Sequence, residues 1–253
     1  MKLEGNAALV TGGGSGLGAA TAAAFAAAGA KVSLLDVNET AMQAVAAKTG
    51  AFPVPCDVTD SASAAKAVSD ARKKHGPARI LVNCAGIAPA KRIVGRDGPM
   101  PLADFARVIG VNLIGTFNMM RLAAADMSAL DPLEDNERGV IVSTASVAAY
   151  EGQIGQAAYA ASKGGVVSLT LPAAREFAQF GVRVNAIAPG IFLTPMLQGL
   201  PGDVQQSLAA SVPFPKVLGN PEQYAALAKH IIENRYINGE VIRLDGALRM
   251  QPK

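Results

Sequence analysis

The stretch TGGGSGLG, residues 11–18, follows the short apolar run Ala7–Thr11 and opens the alanine-rich stretch Leu17–Ala28. Glycines let a backbone turn tightly and come close to a pyrophosphate, whose charge is met by free N–H groups at a helix start. The spacing is G-x-x-x-G-x-G rather than G-x-G-x-x-G, and a glycine string by itself could serve only close helix–strand packing. With a strand before it and a helix after it, the loop predicts a nucleotide-binding turn.

An acidic residue follows at a suitable distance. Asp36 ends the next apolar run, Lys31–Asp36, and lies 18 residues beyond Gly18. A carboxylate at this place accepts hydrogen bonds from the adenosine ribose hydroxyls and repels a 2′-phosphate. Val37 follows it, and residues 12–18 contain no Lys or Arg, so the sequence favours NAD over NADP. The alternative is a plain turn or helix-capping aspartate.

Short apolar runs alternate with longer helix-like stretches along the whole chain. The predicted strands are Ala7–Thr11, Lys31–Asp36, Ala51–Pro55, Ile80–Asn83, Val140–Thr144, Arg183–Ala188 and Glu240–Leu244. The predicted helices are Leu17–Ala28, Glu39–Thr49, Ser61–His75, Leu102–Ala129, Tyr159–Phe180 and Pro221–Asn234. This alternation predicts an α/β fold: one domain over residues 1–253, a doubly wound parallel sheet (Rossmann fold) with helices on both faces. Ligands then bind beyond the carboxyl ends of the strands.

Composition excludes several classes of protein. The chain has 253 residues, 50% of them hydrophobic and 17% charged, which excludes disordered and fibrous proteins. Its net charge of +3 is too balanced to indicate nucleic-acid binding. The two cysteines, Cys56 and Cys84, have no metal-ligand spacing, so we expect no metal site. No charge occurs between Glu4 and Lys31, but seven glycines up to Gly29 argue against a membrane span there. We expect a soluble, cytoplasmic protein.

The chain holds only two histidines, His75 and His230, and both lie in predicted helices away from strand ends. A proton would therefore have to move through other groups. Ser146 follows the fifth predicted strand, and Tyr159 and Lys163 are four residues apart, on one face of a helix. A free tyrosine titrates near pH 10, and a nearby ammonium together with a cationic nicotinamide would lower that pKa. The alternative is an ordinary Tyr/Lys pair on a helix surface.

Two more strand ends face the same predicted crevice. Asp57 and Val58 follow the third strand, and the segment 83–86, Asn-Cys-Ala-Gly, follows the fourth. Each could also be an ordinary turn, and Cys84 is more easily read as a small buried residue than as a nucleophile. The glycine- and proline-rich segment Phe192–Pro215 has the composition of a mobile lid.

Together these motifs resemble the short-chain dehydrogenase/reductase family over essentially the whole chain. The family's TGxxxGxG corresponds to Thr11–Gly18, and its NNAG to residues 83–86 with Cys84 in place of the second asparagine. Its helix asparagine corresponds to Asn112, its YxxxK to residues 159–163, and its sixth-strand signature to Arg183–Gly190. Three further stretches, around residues 141–165, 212–225 and 238–252, resemble a narrower group, the 3-hydroxyacyl-CoA dehydrogenases of type 2, also described as 17β-hydroxysteroid dehydrogenases of type 10.

The resemblance implies a role for each matching residue. Tyr159 would be the general base, Ser146 would orient the reacting oxygen, and Lys163 would lower the pKa of Tyr159 and bind the nicotinamide ribose. Asn112 would hold a water that extends the proton relay. Substrate contacts would come from Ser146 and Tyr159. The implied NAD contacts are Gly12, Ser15, Gly16, Leu17, Gly18, Asp36, Asp57, Val58, Asn83, Cys84, Ala85, Gly86, Tyr159, Lys163, Phe192 and Thr194.

The resemblance also implies an activity and an assembly. It implies NAD-dependent oxidation of an (S)-3-hydroxyacyl-CoA to the 3-oxoacyl-CoA, within fatty acid metabolism, by a homotetramer that binds neither nucleic acid nor membrane. Animal members of the group are mitochondrial, so a eukaryotic chain would lie in the mitochondrial matrix. The alternatives are an NADPH-dependent 3-oxoacyl-thioester reductase, which Asp36 disfavours, and a hydroxysteroid dehydrogenase. A further alternative is that the protein is not primarily an enzyme but a nucleotide-binding scaffold with incidental activity. The presence of all four residues, Asn112, Ser146, Tyr159 and Lys163, argues against it.

A basic segment suggests a substrate contact. Lys91, Arg92 and Arg96 lie in Ala88–Pro101, the long connection after the fourth predicted strand. One hypothesis is that they bind the phosphates of a CoA thioester, which would supply binding energy remote from the reacting carbon. The alternative, which the sequence favours, is that they are solvated loop charges.

Overall fold

The computed structural model describes residues 1–199 and 201–252 and contains one seven-stranded, fully parallel sheet. Its strands are β1 Ala7–Thr11, β2 Lys31–Asp36, β3 Phe52–Pro55, β4 Ile80–Asn83, β7 Gly139–Thr144, β8 Val182–Pro189 and β9 Val241–Leu244. A two-stranded hairpin, β5 Val94–Gly95 with β6 Gly98–Pro99, lies outside it. The order across the sheet is β3-β2-β1-β4-β7-β8-β9. This order, with crossovers on both sides of β1, confirms the predicted doubly wound sheet.

Helices cover both faces of the sheet. The principal helices are α1 Gly16–Ala27, α2 Glu39–Thr49, α3 Ser61–His75, α4 Leu102–Ile109, α5 Gly115–Ser128, α6 Ala157–Phe177, α7 Pro195–Gln198, α8 Gly202–Ala210 and α9 Pro221–Glu233. On one face α3, α5 and α6 contribute to one buried core, which includes Leu9 of β1. On the other face α1, α2 and α9 contribute to a second core, which includes Val10. Successive residues of a strand point to opposite faces, so most positions of a sheet covered on both faces carry apolar side chains.

Several predicted boundaries shift by one to three residues in the structure, and three differences are more than such a shift or have a clear tertiary cause. The predicted helix Leu102–Ala129 is interrupted by a π-helical turn at Gly110–Ile114, which separates α4 from α5. The predicted lid segment contains the short helices α7 and α8 rather than an extended loop. Strand β8 continues to Pro189, because Pro189 pairs with Leu244 of β9. The helix interruption and the strand end depend on contacts between elements that are distant in the chain, and local sequence composition does not predict such contacts.

The long helix formed by α4, the π-helical turn and α5 is apolar along much of its length. By length and composition, Leu102–Ser128 could cross a membrane, but half of its most apolar stretch is buried inside the fold. Met119, Met120 and Met127 of α5 pack into the core beneath the sheet. The buried apolar residues of this helix are therefore accounted for by packing in the core, whereas Leu102, Ile114 and Phe117 remain exposed.

The glycine loop is compressed between three backbone segments. Gly12 has a φ of +63°, and a Cβ there would come within 2.8 Å of the backbone of Cys84 and Ala85. A Cβ at Gly18 would overlap the carbonyl oxygen of Gly12. Because backbone atoms cannot move aside as a flexible side chain can, only glycine fits at these two positions. The loop is thereby held tightly between α1 and the end of β4.

We expect Gly18→Ala to destabilise the protein by about 1–3 kcal/mol, since the new methyl group overlaps a backbone oxygen. Denaturant-induced unfolding measures this change. The control is Gly202→Ala in α8, where a Cβ would meet nothing within 4 Å and stability should change by about 0.5 kcal/mol or less. Equal stability of the two variants would contradict the tight packing of the loop.

Candidate active site

A large cavity opens beyond the carboxyl ends of β1, β2, β4, β7 and β8. Its volume is about 1030 Å³, sufficient for a dinucleotide together with part of a second ligand. The wall contains most of the residues that the sequence singled out. Those that line it are Gly12, Ser15, Gly16, Leu17, Gly18, Asp36, Asp57, Val58, Cys84, Ala85, Gly86, Ser146, Tyr159, Lys163, Phe192 and Thr194.

The start of α1 forms one end of this cavity. Ser15 has extended backbone angles and is the N-cap residue, and the helix begins at Gly16. No side chain among the described residues caps its first turn. The first N–H groups of a helix have no partner inside it, and they carry partial positive charge. Here they lie at the cavity wall, which suits an anionic ligand such as a pyrophosphate.

Asp36 is held in place at the end of β2. One carboxylate oxygen accepts the N–H of Gly14 at 3.0 Å, and the other accepts the N–H of Asn38 at 3.0 Å. Each carboxylate oxygen has a second lone pair, so the oriented group can still accept hydrogen bonds from a ligand in the cavity. Its neighbour Val37 is exposed and carries no charge that could hold a phosphate.

The ends of β3 and β4 complete this side of the wall. The Asp57 carboxylate accepts the N–H and the hydroxyl of Thr59, at 2.9 and 2.7 Å, and so fixes the turn after β3. The Thr11 hydroxyl oxygen accepts the N–H groups of Cys84 and Ala85, both at 3.1 Å. This pair of bonds ties the end of β1 to the segment after β4. The glycine loop and the segment after β4 are therefore held together as one part of the cavity wall.

Asn83 does not line the cavity. It is buried at the end of β4, where its side-chain nitrogen lies 3.4 Å from the Ser143 hydroxyl. Its carbonyl oxygen accepts the Thr144 hydroxyl at 2.6 Å. Its side-chain oxygen has no partner among the described residues. The structure therefore places Asn83 behind the wall, joining β4 to β7, while the three residues after it reach the cavity.

Ser146, Tyr159 and Lys163 come together in one part of the wall. Ser146 follows β7 and is the N-cap residue of a short turn, its hydroxyl accepting the N–H of Ala148 at 3.1 Å. Tyr159 and Lys163 lie one turn apart on α6, and the Lys163 nitrogen is 5.8 Å from the centre of the Tyr159 ring. The Lys163 amino group donates to the carbonyl of Thr144 at 2.6 Å.

Burial governs the electrostatics of this group. It lowers the pKa of Lys163 to about 8, with a small opposing effect from Cys84. It also raises the pKa of Tyr159, which the neighbouring Ser146 hydroxyl partly offsets. In the protein alone the pKa of Tyr159 is thus raised rather than lowered, because desolvation outweighs the hydrogen bond from Ser146. Proximity in a helix is therefore not enough to activate Tyr159.

Asn112 lies outside the cavity wall and is fully buried in the π-helical turn. Its side-chain oxygen accepts the N–H of Ile87 at 2.8 Å. Its side-chain nitrogen donates to the Ile87 carbonyl and to the Ser162 hydroxyl, both at 2.9 Å. The side chain thus joins the segment after β4 to α6. The water-holding role implied by the resemblance is not visible in these contacts, which are those of a positioning residue.

The far side of the cavity comes from the segment after β8. Phe192 is buried and pairs through its backbone with Gly219. The Thr194 methyl group lies 3.5 Å from the position that a Cβ of Gly16 would take. This segment therefore closes over the start of α1, as a cover over a bound ligand would.

Several lining residues carried no recognisable sequence signal. Gln153, Gln156, Leu197, Leu208 and Met250 line the cavity together with the Ser146–Tyr159 region. They come from three separate segments, and none belongs to a motif with fixed spacing. Only tertiary packing brings them together.

An ion-pair network holds the C-terminal part of this wall. Arg243 of β9 donates to both carboxylate oxygens of Glu151, at 2.7 and 3.0 Å. The N–H of Met250 donates to Glu151 at 3.4 Å, and the Gln153 amide donates to the carbonyl of Gln251 at 3.0 Å. Bidentate pairs of this kind fix both partners geometrically. The segment around Met250 is thereby fastened to the loop that precedes α6.

The basic segment after β4 lies away from the cavity wall. Lys91 forms an ion pair with Asp104, and both Arg92 and Arg96 are exposed. Among the described residues, Arg107 of α4 is the arginine that lines the cavity. The hypothesis that Lys91, Arg92 and Arg96 bind CoA phosphates stays a prediction, and their placement favours solvated loop charges.

The cavity fits a nicotinamide dinucleotide by its chemistry. The open helix start supplies N–H donors for a pyrophosphate, and the glycines at positions 12, 13, 14 and 16 let a ligand approach the loop backbone closely. Asp36 supplies an oriented acceptor for ribose hydroxyls at the end of β2. Tyr159 and Lys163 lie in the same continuous space. The residues present therefore match the donor and acceptor needs of such a cofactor.

Comparison with known proteins agrees with this geometry. A family model described as short chain dehydrogenase matches residues 6–205. The chain belongs to the short-chain dehydrogenase family. It is therefore an oxidoreductase that acts on a CH–OH group.

Individual relatives cover the whole of this short-chain dehydrogenase. It is 52% identical to the 3-hydroxyacyl-CoA dehydrogenase type-2 of Bos taurus over 255 residues, which span 99% of this chain and 97% of the relative. It is 51% identical to the protein of the same name in Homo sapiens, with the same coverage. A crystal structure of 3-hydroxyacyl-CoA dehydrogenase type-2 from Mycobacterium avium superposes with a TM-score of 0.92, at 43% identity and full coverage of both chains. The resemblance inferred from the motifs is confirmed.

Proposed function

We propose that this short-chain dehydrogenase oxidises (S)-3-hydroxyacyl-CoA thioesters to 3-oxoacyl-CoA thioesters with NAD as oxidant. The observation that carries the proposal is a single cavity whose wall holds Asp36 and the glycine loop at one end and Ser146, Tyr159 and Lys163 further along. The full-length likeness to proteins named 3-hydroxyacyl-CoA dehydrogenase type-2 supports the substrate class. A role in fatty acid metabolism follows from that substrate.

The reaction needs a base at the substrate oxygen. The Tyr159 phenolate takes the proton of the 3-hydroxyl group, while the Ser146 hydroxyl hydrogen-bonds the same oxygen and orients it. When bound, NAD supplies the acceptor for the hydride that leaves the substrate carbon as its C=O bond forms. The Lys163 ammonium favours the phenolate over the phenol and would also hold the nicotinamide ribose of the bound cofactor. Proton and hydride thus leave the alcohol through separate groups.

The fold gives this chemistry a rigid frame. Tyr159 and Lys163 lie on the 21-residue helix α6, and Ser146 lies two residues beyond the buried strand β7. Side chains on such elements keep their relative positions better than side chains on loops. Orientation of the hydroxyl relative to base and hydride acceptor is the protein's main contribution.

We predict at least a tenfold preference for NAD over NADP in kcat/KM. The Asp36 carboxylate would repel the 2′-phosphate of NADP, and such repulsion costs more than about 1.4 kcal/mol. Steady-state kinetics with both cofactors and a panel of 3-hydroxyacyl-CoA substrates measure the preference. Asp70→Asn, at a partly exposed carboxylate of α3 away from the cavity, serves as the control and should keep the preference for NAD. Equal use of NAD and NADP would contradict the role of Asp36.

We predict that Tyr159→Phe lowers kcat by at least about a thousandfold, because the ring stays but the acidic hydroxyl is lost. Binding of NADH, measured by fluorescence titration, should change by a few-fold at most. Tyr236→Phe removes the hydroxyl of a fully exposed tyrosine and should leave both quantities unchanged. Substantial turnover by Tyr159→Phe at saturating substrate would rule out the assigned base.

We propose that the protein is a homotetramer. Apolar side chains on α5 and α6 remain exposed in the single chain, including Phe117 and Leu171, which are 49% and 43% exposed. Exposed apolar patches on adjoining helices are typical of subunit interfaces. Light scattering at micromolar concentration should give the mass of a tetramer, and a monomer mass would contradict the proposal.

The proposed place of action follows the substrate. We propose a cytoplasmic protein, or a mitochondrial matrix protein in a eukaryote, because these compartments hold acyl-CoA thioesters and a nicotinamide pool. The substrate is a small molecule, and the proposed partners include neither nucleic acid nor membrane.

A further inference from the structure

A buried tyrosine that no motif contains lies beneath the catalytic lysine. Tyr224 is on α9, is 0% exposed, and comes 80 residues after Thr144 in the chain. Its hydroxyl oxygen is 2.7 Å from the Thr144 hydroxyl and 3.8 Å from the Cys84 sulfur. A tyrosine buried for packing alone would be a phenylalanine at lower cost, because a buried hydroxyl needs a partner.

The direction of these hydrogen bonds follows from their partners. The Thr144 hydroxyl lies 2.6 Å from the carbonyl oxygen of Asn83, which can only accept. Thr144 has one hydroxyl proton, so that proton points to Asn83. Tyr224 must then donate to the Thr144 oxygen. The side chain of Thr144 is therefore fixed from two sides, by β4 and by α9.

The backbone of the same residue holds Lys163. The Thr144 carbonyl accepts from the Lys163 amino group at 2.6 Å, and Lys163 is 4% exposed. Thr144 ends β7, so its carbonyl is the last one of the strand and borders the cavity. A short bond from an ammonium to a carbonyl is strong, and its strength depends on the position of that carbonyl.

We propose that Tyr224 is a positioning residue for Lys163: its hydroxyl fixes Thr144, whose carbonyl in turn holds the Lys163 ammonium beside Tyr159. The inference deepens the proposed function, since it rests on the role given there to Lys163. Tyr224 itself does not line the cavity and is not a catalytic residue.

The charges around Lys163 show why this carbonyl matters. The titratable groups that face Lys163 are Tyr159 on its own helix, Cys84 at the end of β4 and, through Thr144, Tyr224 on α9. Burial raises the pKa of all three, so each is neutral near pH 7. The Lys163 ammonium is therefore stabilised by a neutral dipole rather than by a carboxylate among these neighbours. Burial lowers the pKa of Lys163 to about 8, and the short bond to the Thr144 carbonyl is a contact that favours its charged form.

Tyr224→Phe is the direct test, because it removes one hydroxyl and keeps the ring. Without the Tyr224 hydroxyl the Thr144 carbonyl is held less firmly and stabilises the Lys163 ammonium less. The pKa of Lys163 then falls, so the loss of activity at high pH begins at a lower pH. We expect kcat to fall about five- to tenfold and its alkaline limb to move down by about half a pH unit. The pH dependence of NADH binding, read by fluorescence, should move in the same direction, and this readout needs no turnover.

Four further variants separate positioning from packing. Tyr236→Phe makes the same chemical change at an exposed site and should leave both pH profiles unchanged. Thr144→Val removes the acceptor of the Tyr224 bond, and the double variant Tyr224→Phe/Thr144→Val should then be no worse than Thr144→Val. Thr144→Ser keeps the hydroxyl and should retain profiles close to those of the wild type.

The outcomes distinguish the alternatives. A folded Tyr224→Phe protein with unchanged pH profiles, even if less stable, would overturn the proposal and leave Tyr224 as core packing. Additive effects in the double variant would also overturn it. Should Tyr224→Phe fail to fold, the Thr144→Val and Thr144→Ser pair decides in its place. If the wild type fails to oxidise 3-hydroxyacyl-CoA, the proposed function fails, while the NADH-binding profile still tests Tyr224.

Discussion

The parallel alignment of the seven strands is the constraint on which the rest depends. Because all strands run the same way, their carboxyl ends meet at one edge, and the residues just after them share one cavity. The glycine loop after β1, Asp36 on β2, Cys84 after β4 and Ser146 after β7 are far apart in the chain and adjacent in space. The close contact of the glycine loop with the segment after β4 then fixes the depth of that cavity.

Burial holds Tyr159 and Lys163 in place, and it also disfavours the charged form of each side chain. Tyr159 and Lys163 lie one turn apart on α6, and desolvation disfavours both the phenolate of Tyr159 and the ammonium of Lys163. Neutral dipoles partly offset this effect. The Thr144 carbonyl accepts a hydrogen bond from Lys163, and the Ser146 hydroxyl favours the phenolate of Tyr159. The charge that favours the phenolate is then left to the bound cofactor and to a well-placed Lys163.

Much of the fold and part of the site were predictable from the sequence. Strand and helix positions, the glycine loop and the acid at Asp36 follow from local pattern, because a buried parallel strand and a tight phosphate turn each demand particular residues. The positions of Asn83 and Asn112 behind the wall were not predictable. A motif gives the type and order of residues, whereas the direction of a side chain depends on which hydrogen-bond partners lie beside it.

The sequence by itself determined the βαβ alternation, the place of the glycine loop, and the serine, tyrosine and lysine to which we assign the proposed reaction. Tertiary structure decided which dipoles hold those groups, since Tyr224 reaches Thr144 from α9 and Glu151 reaches Arg243 from across the cavity wall. It also decided the sign of the tyrosine pKa shift, because desolvation depends on every atom packed around a group and not on its neighbours in the chain.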